Sequence, residues 1–275
     1  MKNQKVIAVY QGLVGKFKEL ISEHELDHDD YQALVHWMDQ VGKSGEIPLF
    51  MDVFFETHAL QEMYKSVKGT EPTILGPYYI ENATEIQNPG VIPQRQEEPG
   101  EVLFFSGSVK DTAGNPLVDT KIDLWQADAN GEYSHFAEGI PADNLRAVLY
   151  TDEKGNFEIQ TVVPGNYSIP ADGPTGHFLK LIDHHSYRPA HLHLLFKPEN
   201  GDKLVTQIYF EGDPYLESDV AQGVRGTLIT KLEKQEDPIV LIEKGLNKPF
   251  YTAHLEFELR LQDTPHLNKA SLQTL

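Results

Sequence analysis

The amino-acid sequence predicts a mostly β protein, an antiparallel β-sandwich preceded by an α-helical segment. Two hydrophobic rhythms carry that expectation: an apolar period of 3.6 up to about residue 68, and an apolar period of two from Gly100 onward. Turn sequences such as Asp152-Glu153-Lys154-Gly155-Asn156 and Pro198-Glu199-Asn200-Gly201 then punctuate the second part at the spacing of a sandwich.

The first helix is expected from residue 5, where Val6, Tyr10, Leu13, Phe17 and Leu20 are spaced alternately by four and three. Tyr31, Leu34, Val35, Met38 and Val41 repeat the pattern after Asp27-His28-Asp29-Asp30, whose carboxylates suit a helix N-terminus. Gly42 and Gly45 break the chain. A third helix is expected from Ile47-Pro48, carrying Phe50, Val53, Phe54, Thr57, Leu60, Tyr64 and Val67. Residues 69 to 100, rich in Pro, Gly, Asn and Glu, read as an extended surface connection. Strands are expected at Val102 to Val109, Lys121 to Gln126, Ala147 to Thr151, Asn156 to Val162, His177 to Ile182, Ala190 to Lys197, Val205 to Phe210, Ile239 to Ile242 and Ala253 to Leu261. The predicted organisation is therefore a helical segment and linker over 1–100 and a β-sandwich over 101–275. Three such helices bury too little alone, so their apolar faces are expected on the sandwich or on a second copy, as a helical homodimer.

A chain of 275 residues can bury a substantial core. Its formal net charge of -19, with no local Lys/Arg cluster, argues against nucleic acid and acidic membrane surfaces as partners. The absence of cysteine excludes disulfides and thiolate chemistry. No long apolar run or cleavage-site pattern follows Met1, so the expectation is a cytoplasmic protein without a membrane span.

Chemistry concentrates in Arg188-Pro189-Ala190-His191-Leu192-His193. Histidines at i and i+2 of a strand project from one face, so His191 and His193 can grip one ion together. Tyr133 and Tyr167 each sit in a turn marked by glycine or proline. A phenolate is a hard anionic donor that favours a hard cation such as Fe(III), whereas structural zinc takes thiolate and imidazole.

The words around these residues resemble the intradiol ring-cleavage dioxygenases, in the branch acting on catechol and hydroxyquinol. Ile122-Asp123-Leu124-Trp125-Gln126-Ala127-Asp128-Ala129-Asn130-Gly131-Glu132-Tyr133-Ser134 is similar to the strand and turn that deliver that family's first tyrosinate. Val163-Pro164-Gly165-Asn166-Tyr167-Ser168-Ile169-Pro170-Ala171-Asp172-Gly173-Pro174 is similar to the loop delivering the second. Arg188 to His193 and Val205-Thr206-Gln207-Ile208-Tyr209-Phe210 resemble the ligand strand and its neighbour, and Leu75-Gly76-Pro77-Tyr78-Tyr79 the approach to the catalytic domain.

The resemblance implies one non-haem Fe(III) per subunit, held by Tyr133, Tyr167, His191 and His193. It implies a small aromatic diol and O2 as reactants, with cleavage between the two hydroxyls to a cis,cis-muconate. Tyr167 would leave the metal and take a substrate proton, Arg188 would stabilise negative charge beside the ring, and Gln207 would hydrogen-bond from the adjacent strand. Ile74, Leu75, Gly76 and Tyr78 would form one substrate wall, with Phe54 and Thr57 near a second. Val220 and Ala221 fall where catechol-selective members often carry a bulkier aromatic and a small residue, which keeps hydroxyquinol and substituted or chlorinated catechols open beside catechol. Dimerisation through the N-terminal helices, and a lipid in their groove, are also what the resemblance implies.

Two other readings compete. A cupin-type dioxygenase also uses His-x-His on a strand, but it needs a Glu close by, and Glu199 sits in a turn instead. A non-catalytic sandwich module would explain the strands and leave the tyrosine loops and Arg188 without a role.

Overall fold

The computed structural model describes residues 2–261; the end of the expected 101–275 segment, 262–275, lies outside the described residues. The N-terminal part is helical: α1 (Lys2–Glu23), α2 (His28–Lys43), α3 (Ile47–Met51), a π-helical turn (Asp52–Glu56) and α4 (Thr57–Tyr64). Asp27 and Asp30 form a reciprocal capping box that starts α2. The expected third helix is present, but its middle is the π-helical turn, whose extra residue rotates the side chains that follow. Trp37 on α2 meets Phe50 on α3 at 5.0 Å between ring centroids. On α1, by contrast, Tyr10 and Leu13 stay exposed.

Strands follow as β1 (Gly90–Val91), β2 (Val102–Asp111), β3 (Lys121–Gln126), β4 (Arg146–Tyr150), β5 (Asn156–Val162), β6 (Tyr167–Ser168), β7 (Tyr187–Arg188), β8 (His191–Lys197), β9 (Leu204–Phe210), β10 (Ile229–Thr230), β11 (Glu233–Gln235) and β12 (Phe250–Leu259). One sheet has the order β1-β5-β2-β12-β11 and the other β10-β9-β8-β3-β4; β6 and β7 form a separate ribbon. Leu103, Phe105, Phe157 and Phe257 from the first sheet and Ile122, Leu124, Leu194 and Phe196 from the second fill the core between them. The sandwich is as the sequence predicts, while its pairings are mixed: β12 runs parallel to β2, β1 to β5 and β10 to β9, the rest being antiparallel.

Two expected strands are helices. Residues 177–182 belong largely to α5 (Pro174–Leu181), which begins with Gly173 as cap and proline at its first position. Its Thr175 amide donates to the Glu46 carboxylate at 2.8 Å, and Phe178 packs 5.1 Å from Trp37, so tertiary contacts with α2 and α3 select the helix. Residues 239–242 lie in α6 (Pro238–Glu243), started by Asp237, whose side chain accepts from the Ile239 amide. The β-branched run there suggested a strand, but the Asp-Pro start decides it. The expected surface connection is also partly interior: Ile74 and Ile92 are buried, and β1 joins the first sheet.

Candidate active site

Strand β8 is buried on both faces, and its pleat sorts the side chains. Leu192, Leu194 and Phe196 enter the core between the sheets, which leaves His191 and His193 on the opposite face. Cross-strand pairing then fixes their neighbours: His191 lies opposite Tyr209 on β9, and His193 lies between Gln207 on β9 and Trp125 on β3. The Trp125 indole stacks on the His193 imidazole at 4.6 Å and 12°. Against this face pack Val53, Tyr133, Tyr167, Ile169, Leu179 and Val220, with Leu49, Phe54, Leu75 and Tyr78 at its margin.

The two tyrosine turns are knitted to each other. Asp128 is fully buried, accepts the amides of Asn130 and Glu132, and pairs with Arg95. Gly131 has a positive φ of 84°, and a Cβ there would meet the Asn166 carbonyl oxygen at 2.5 Å and the Tyr167 Cβ at 2.8 Å. Only glycine lets the Tyr133 turn approach the Tyr167 loop so closely. The Gly165 amide donates to the Asp128 carbonyl at 2.9 Å and closes the junction. Tyr167 is paired with Arg188 across the β6–β7 ribbon, so one short hairpin sets both relative to the histidines.

The resulting cluster is compact. Ring centroids are 5.3 Å apart for Tyr133 and Tyr167, 5.6 Å for Tyr167 and His191, and 4.7 Å for the two histidines. The His191 Nδ1 donates to the Pro189 carbonyl at 2.7 Å, which leaves its Nε2 lone pair facing inward. The two Nε2 atoms lie 3.0 Å apart, the separation of two nitrogens bound at about a right angle and about 2.1 Å to one ion. Tyr133 Oη is buried without a hydrogen-bond partner, an orphaned polar atom that a cation would satisfy. No group of three His, Cys, Asp or Glu able to hold a metal occurs among the described residues; the donors here are two imidazoles and two phenols. That set fits a hard trivalent cation, since two phenolates offset most of its charge before burial penalises it.

Electrostatics set the protonation of these four groups. Burial pushes the Tyr133 phenol well above its ordinary value, reinforced by the neighbouring Tyr167, and burial also raises Tyr167 against the opposing pull of Arg188. Burial lowers His191 to about 3, helped by the Arg188 charge, and carries His193 well below its usual range, helped by His191. Near neutrality both phenols therefore carry protons and both imidazoles do not. A metal binding as a bis-tyrosinate must expel two protons, so affinity should fall as pH falls, by up to about 100-fold per unit. The imidazoles add no further dependence until far lower pH. Iron retention against a competing chelator at pH 7, 6 and 5 checks this: a steep loss is expected, and a flat profile would contradict two phenolate ligands.

Arg188, only 2% exposed, lies beside this cluster. Its Nε and Nη2 donate to the two Asp219 oxygens at 3.0 Å each, and Nη2 also reaches Gln207 Oε1 at 2.9 Å. Gln207 Nε2 in turn donates to the Ile74 carbonyl at 2.8 Å. Ile74 is buried, Gly76 sits with a virtual Cβ 3.7 Å from His193 Cε1, and Tyr78 stacks on Tyr133 at 4.2 Å. Thr57 Oγ1 donates to the Ala221 carbonyl at 2.8 Å, which brings α4 against the turn carrying Val220 and Ala221. All fourteen residues singled out in the sequence thus fall in or around one site. His58, His135, His184 and His185 stand apart from the cluster; His185 bonds to Ser218 on the surface side.

Several neighbours carry no comparable signal in the sequence. Arg146 is buried, donates to Ser134 Oγ at 2.6 Å and to the Tyr78 carbonyl at 2.6 Å, and so braces the Tyr133 turn against the 74–79 segment. Burial lowers its guanidinium to about 10. Asp219 and Leu49 are equally silent, because their roles arise from packing and not from spacing; Val53 and Trp125 carry a secondary-structure signal but none for the site.

Residues 74–263 match the family described as Dioxygenase, and residues 3–69 match that described as Catechol dioxygenase N terminus. The chain is 36% identical to a chlorocatechol 1,2-dioxygenase of Rhodococcus opacus, over 85% of this chain and 92% of the relative. It is 29% identical to a catechol 1,2-dioxygenase of Acinetobacter baylyi, over 94% of this chain and 86% of the relative. A crystal structure of hydroxyquinol 1,2-dioxygenase from Pseudomonas putida DLL-E4 superposes with a TM-score of 0.83 at 31% identity, covering 93% of this chain and 91% of the other.

Proposed function

The chain belongs to the intradiol ring-cleavage dioxygenases, non-haem Fe(III) enzymes, and on that basis we propose that it cleaves catechol between its hydroxyl-bearing carbons with O2, yielding cis,cis-muconate. The observation that carries this reading is the convergence of Tyr133, Tyr167, His191 and His193 beside Arg188 in a pocket walled by apolar side chains. Tyr133, Tyr167, His191 and His193 would hold Fe(III), which would supply a Lewis acid able to make the ring of a bound diolate electron-rich toward O2.

The protein's own groups do the rest. Tyr133 and the two histidines would hold the metal, while Tyr167 would be the group that takes and holds a substrate hydroxyl proton at Oη. Arg188 presents Nη1, 3.4 Å from His191 Nε2, as the cation nearest the bound ring. Gln207 keeps Arg188 and the Ile74 wall in fixed relation. Ile74, Leu75, Gly76, Tyr78, Phe54 and Thr57 enclose the ring and keep water from it.

A second reading, ring-substituted or chlorinated catechol, is favoured by the modest size of Val220, which is buried in the same apolar cluster as Tyr133 and Tyr167, and by the chlorocatechol relative. Hydroxyquinol, a catechol with a third ring hydroxyl, is the other substrate of the same class. Oxygen uptake with catechol, 4-methylcatechol, chlorocatechols, hydroxyquinol and protocatechuate, with product spectra, ranks them. Val220→Phe should reduce kcat/KM for 4-substituted catechols about tenfold more than for catechol, the scale of filling a substituent-sized space. An equal effect on both would remove Val220 from the wall, and products cleaved outside the hydroxyl pair would overturn the function.

The reading extends to assembly. Exposed Val6, Tyr10 and Leu13 on α1 and Tyr31, Val35 and Met38 on α2 support a homodimer through the helical segment over 1–100, with the sandwich as the catalytic part; an acyl chain is the other apolar occupant such a groove would take. No helix among the described residues is long and apolar enough to cross a membrane, and the proposed address is the cytoplasm.

A further inference from the structure

Behind the pocket wall, residues 219–223 form a tight turn whose only charged group is Asp219, 3% exposed. We propose that Asp219 is the positioning residue of the diol site: a single carboxylate that aims Arg188 at the bound ring and also sets the turn carrying Val220 and Ala221, so that charge stabilisation and ring-size selection form one coupled unit. The proposal rests on the intradiol reading above.

The hydrogen-bond inventory supports it. A carboxylate accepts about four hydrogen bonds, and Asp219 receives four. Oδ1 accepts from Arg188 Nε at 3.0 Å and from the Ala221 amide at 3.2 Å. Oδ2 accepts from Arg188 Nη2 at 3.0 Å and from the Gly223 amide at 2.9 Å. Each oxygen thus joins one guanidinium nitrogen to one wall amide, and neither half can move without the other. On the guanidinium, Asp219 takes Nε and one Nη2 proton and Gln207 takes the other, with Tyr209 Oη also 3.2 Å from Nη2. Nη1 is the edge left over, and it faces His191. Asp219 therefore determines which edge of Arg188 the substrate meets.

The turn is gripped from two other sides. The Val220 amide donates to the Tyr187 carbonyl at 3.1 Å, next to Arg188 in β7, and Thr57 Oγ1 donates to the Ala221 carbonyl. Glycine at 223 is required for closure, since a Cβ there would meet Arg188 Nη2 at 2.7 Å, Tyr209 Oη at 2.9 Å and Asp219 Oδ2 at 3.2 Å. A buried pair serving only the fold would need neither the bidentate aim nor the amides of the wall, and hydrophobic replacement would serve stability as well.

Asp219→Asn disturbs both roles together, because whichever way the isosteric amide turns, its NH2 faces one guanidinium nitrogen and one turn amide, both of them donors. The iron-loaded variant should keep the tyrosinate colour of the parent, as no ligand is touched. Its kcat should fall about 100-fold for every diol, as when one preorganised charge is misaimed. The kcat/KM ratio of catechol to 4-methylcatechol should shift at least about threefold as the wall loosens. A merely structural carboxylate would lower thermal stability and leave that ratio alone. Because breaking a buried pair can cost the fold, Thr57→Val is the companion: it frees the Ala221 carbonyl without touching the pair and should move the same ratio. A ratio within about twofold of the parent in Asp219→Asn, or in Thr57→Val should the first fail to fold, overturns the proposal. A parent that cleaves no diol would instead overturn the intradiol reading.

Discussion

Replacing Tyr133 by Phe, or His191 or His193 by Ala, should abolish ring cleavage, with turnover down by about 10⁴-fold or more, as when a group that acts as part of a unit is removed. The three differ in what else they cost. Tyr133 Oη is buried without a hydrogen-bond partner, so the metal-free Tyr133→Phe protein loses no bond and should unfold at the same temperature as the parent or slightly above it. His191→Ala removes the donor to the Pro189 carbonyl and opens a cavity, and should be less stable by about 2–4 kcal/mol. Bound iron per chain, thermal unfolding of the metal-free proteins and oxygen uptake separate ligand loss from fold loss. Full activity in any one variant would remove that residue from the ligand set.

Arg188→Met should have the second largest effect. Its loss leaves the Asp219 carboxylate buried without its cation, a change that costs about 3–5 kcal/mol in comparable pairs, while kcat should fall about 10²–10³-fold with the loss of the charge beside the ring. The pH dependence carries a sign that identifies the cause. In the parent, burial alone would raise the Asp219 carboxyl, but the Arg188 charge and its hydrogen bonds hold it below the ordinary range. Its folded value lies below its unfolded value, so its contribution is present above about pH 4 and is lost as pH falls through the lower, folded value. Without Arg188, burial is opposed mainly by the Ala221 and Gly223 amides and the folded value rises, so acidification costs the variant less than the parent. The stability gap between parent and variant should therefore narrow from pH 7 to pH 4, as read from denaturant midpoints. A gap that widens on acidification would mean that Asp219 is not the partner at stake.

What could be read from the sequence follows from how local each signal is. His191 and His193 need only the two-residue pleat of one strand, and Tyr133 and Tyr167 need only a turn, so short words located them. Their convergence was a matter of resemblance, because residues 133 and 191 meet only when β3 pairs with β8. Asp219 and Arg146 were out of reach for the same reason: each meets its partner through strand pairing or a distant turn, and a lone Asp or Arg carries no period. The misread segments make the complementary point. The apolar runs at 177–182 and 239–242 fit strand and helix equally; a proline start decides both, with the Glu46 carboxylate accepting the Thr175 amide in the first and Asp237 as cap in the second. The π-helical turn at Asp52–Glu56 left the helical rhythm intact on either side and so gave no sign of itself.

The central claim is that Tyr133 and Tyr167 bind ferric iron as phenolates, and the visible absorption spectrum of the iron-loaded protein tests it most directly. A broad phenolate-to-iron charge-transfer band, red to burgundy, is expected. It should be lost with the iron in Tyr133→Phe and should move to longer wavelength when catechol is added without oxygen. Protein that holds a full complement of Fe(III) and remains colourless would contradict the assignment.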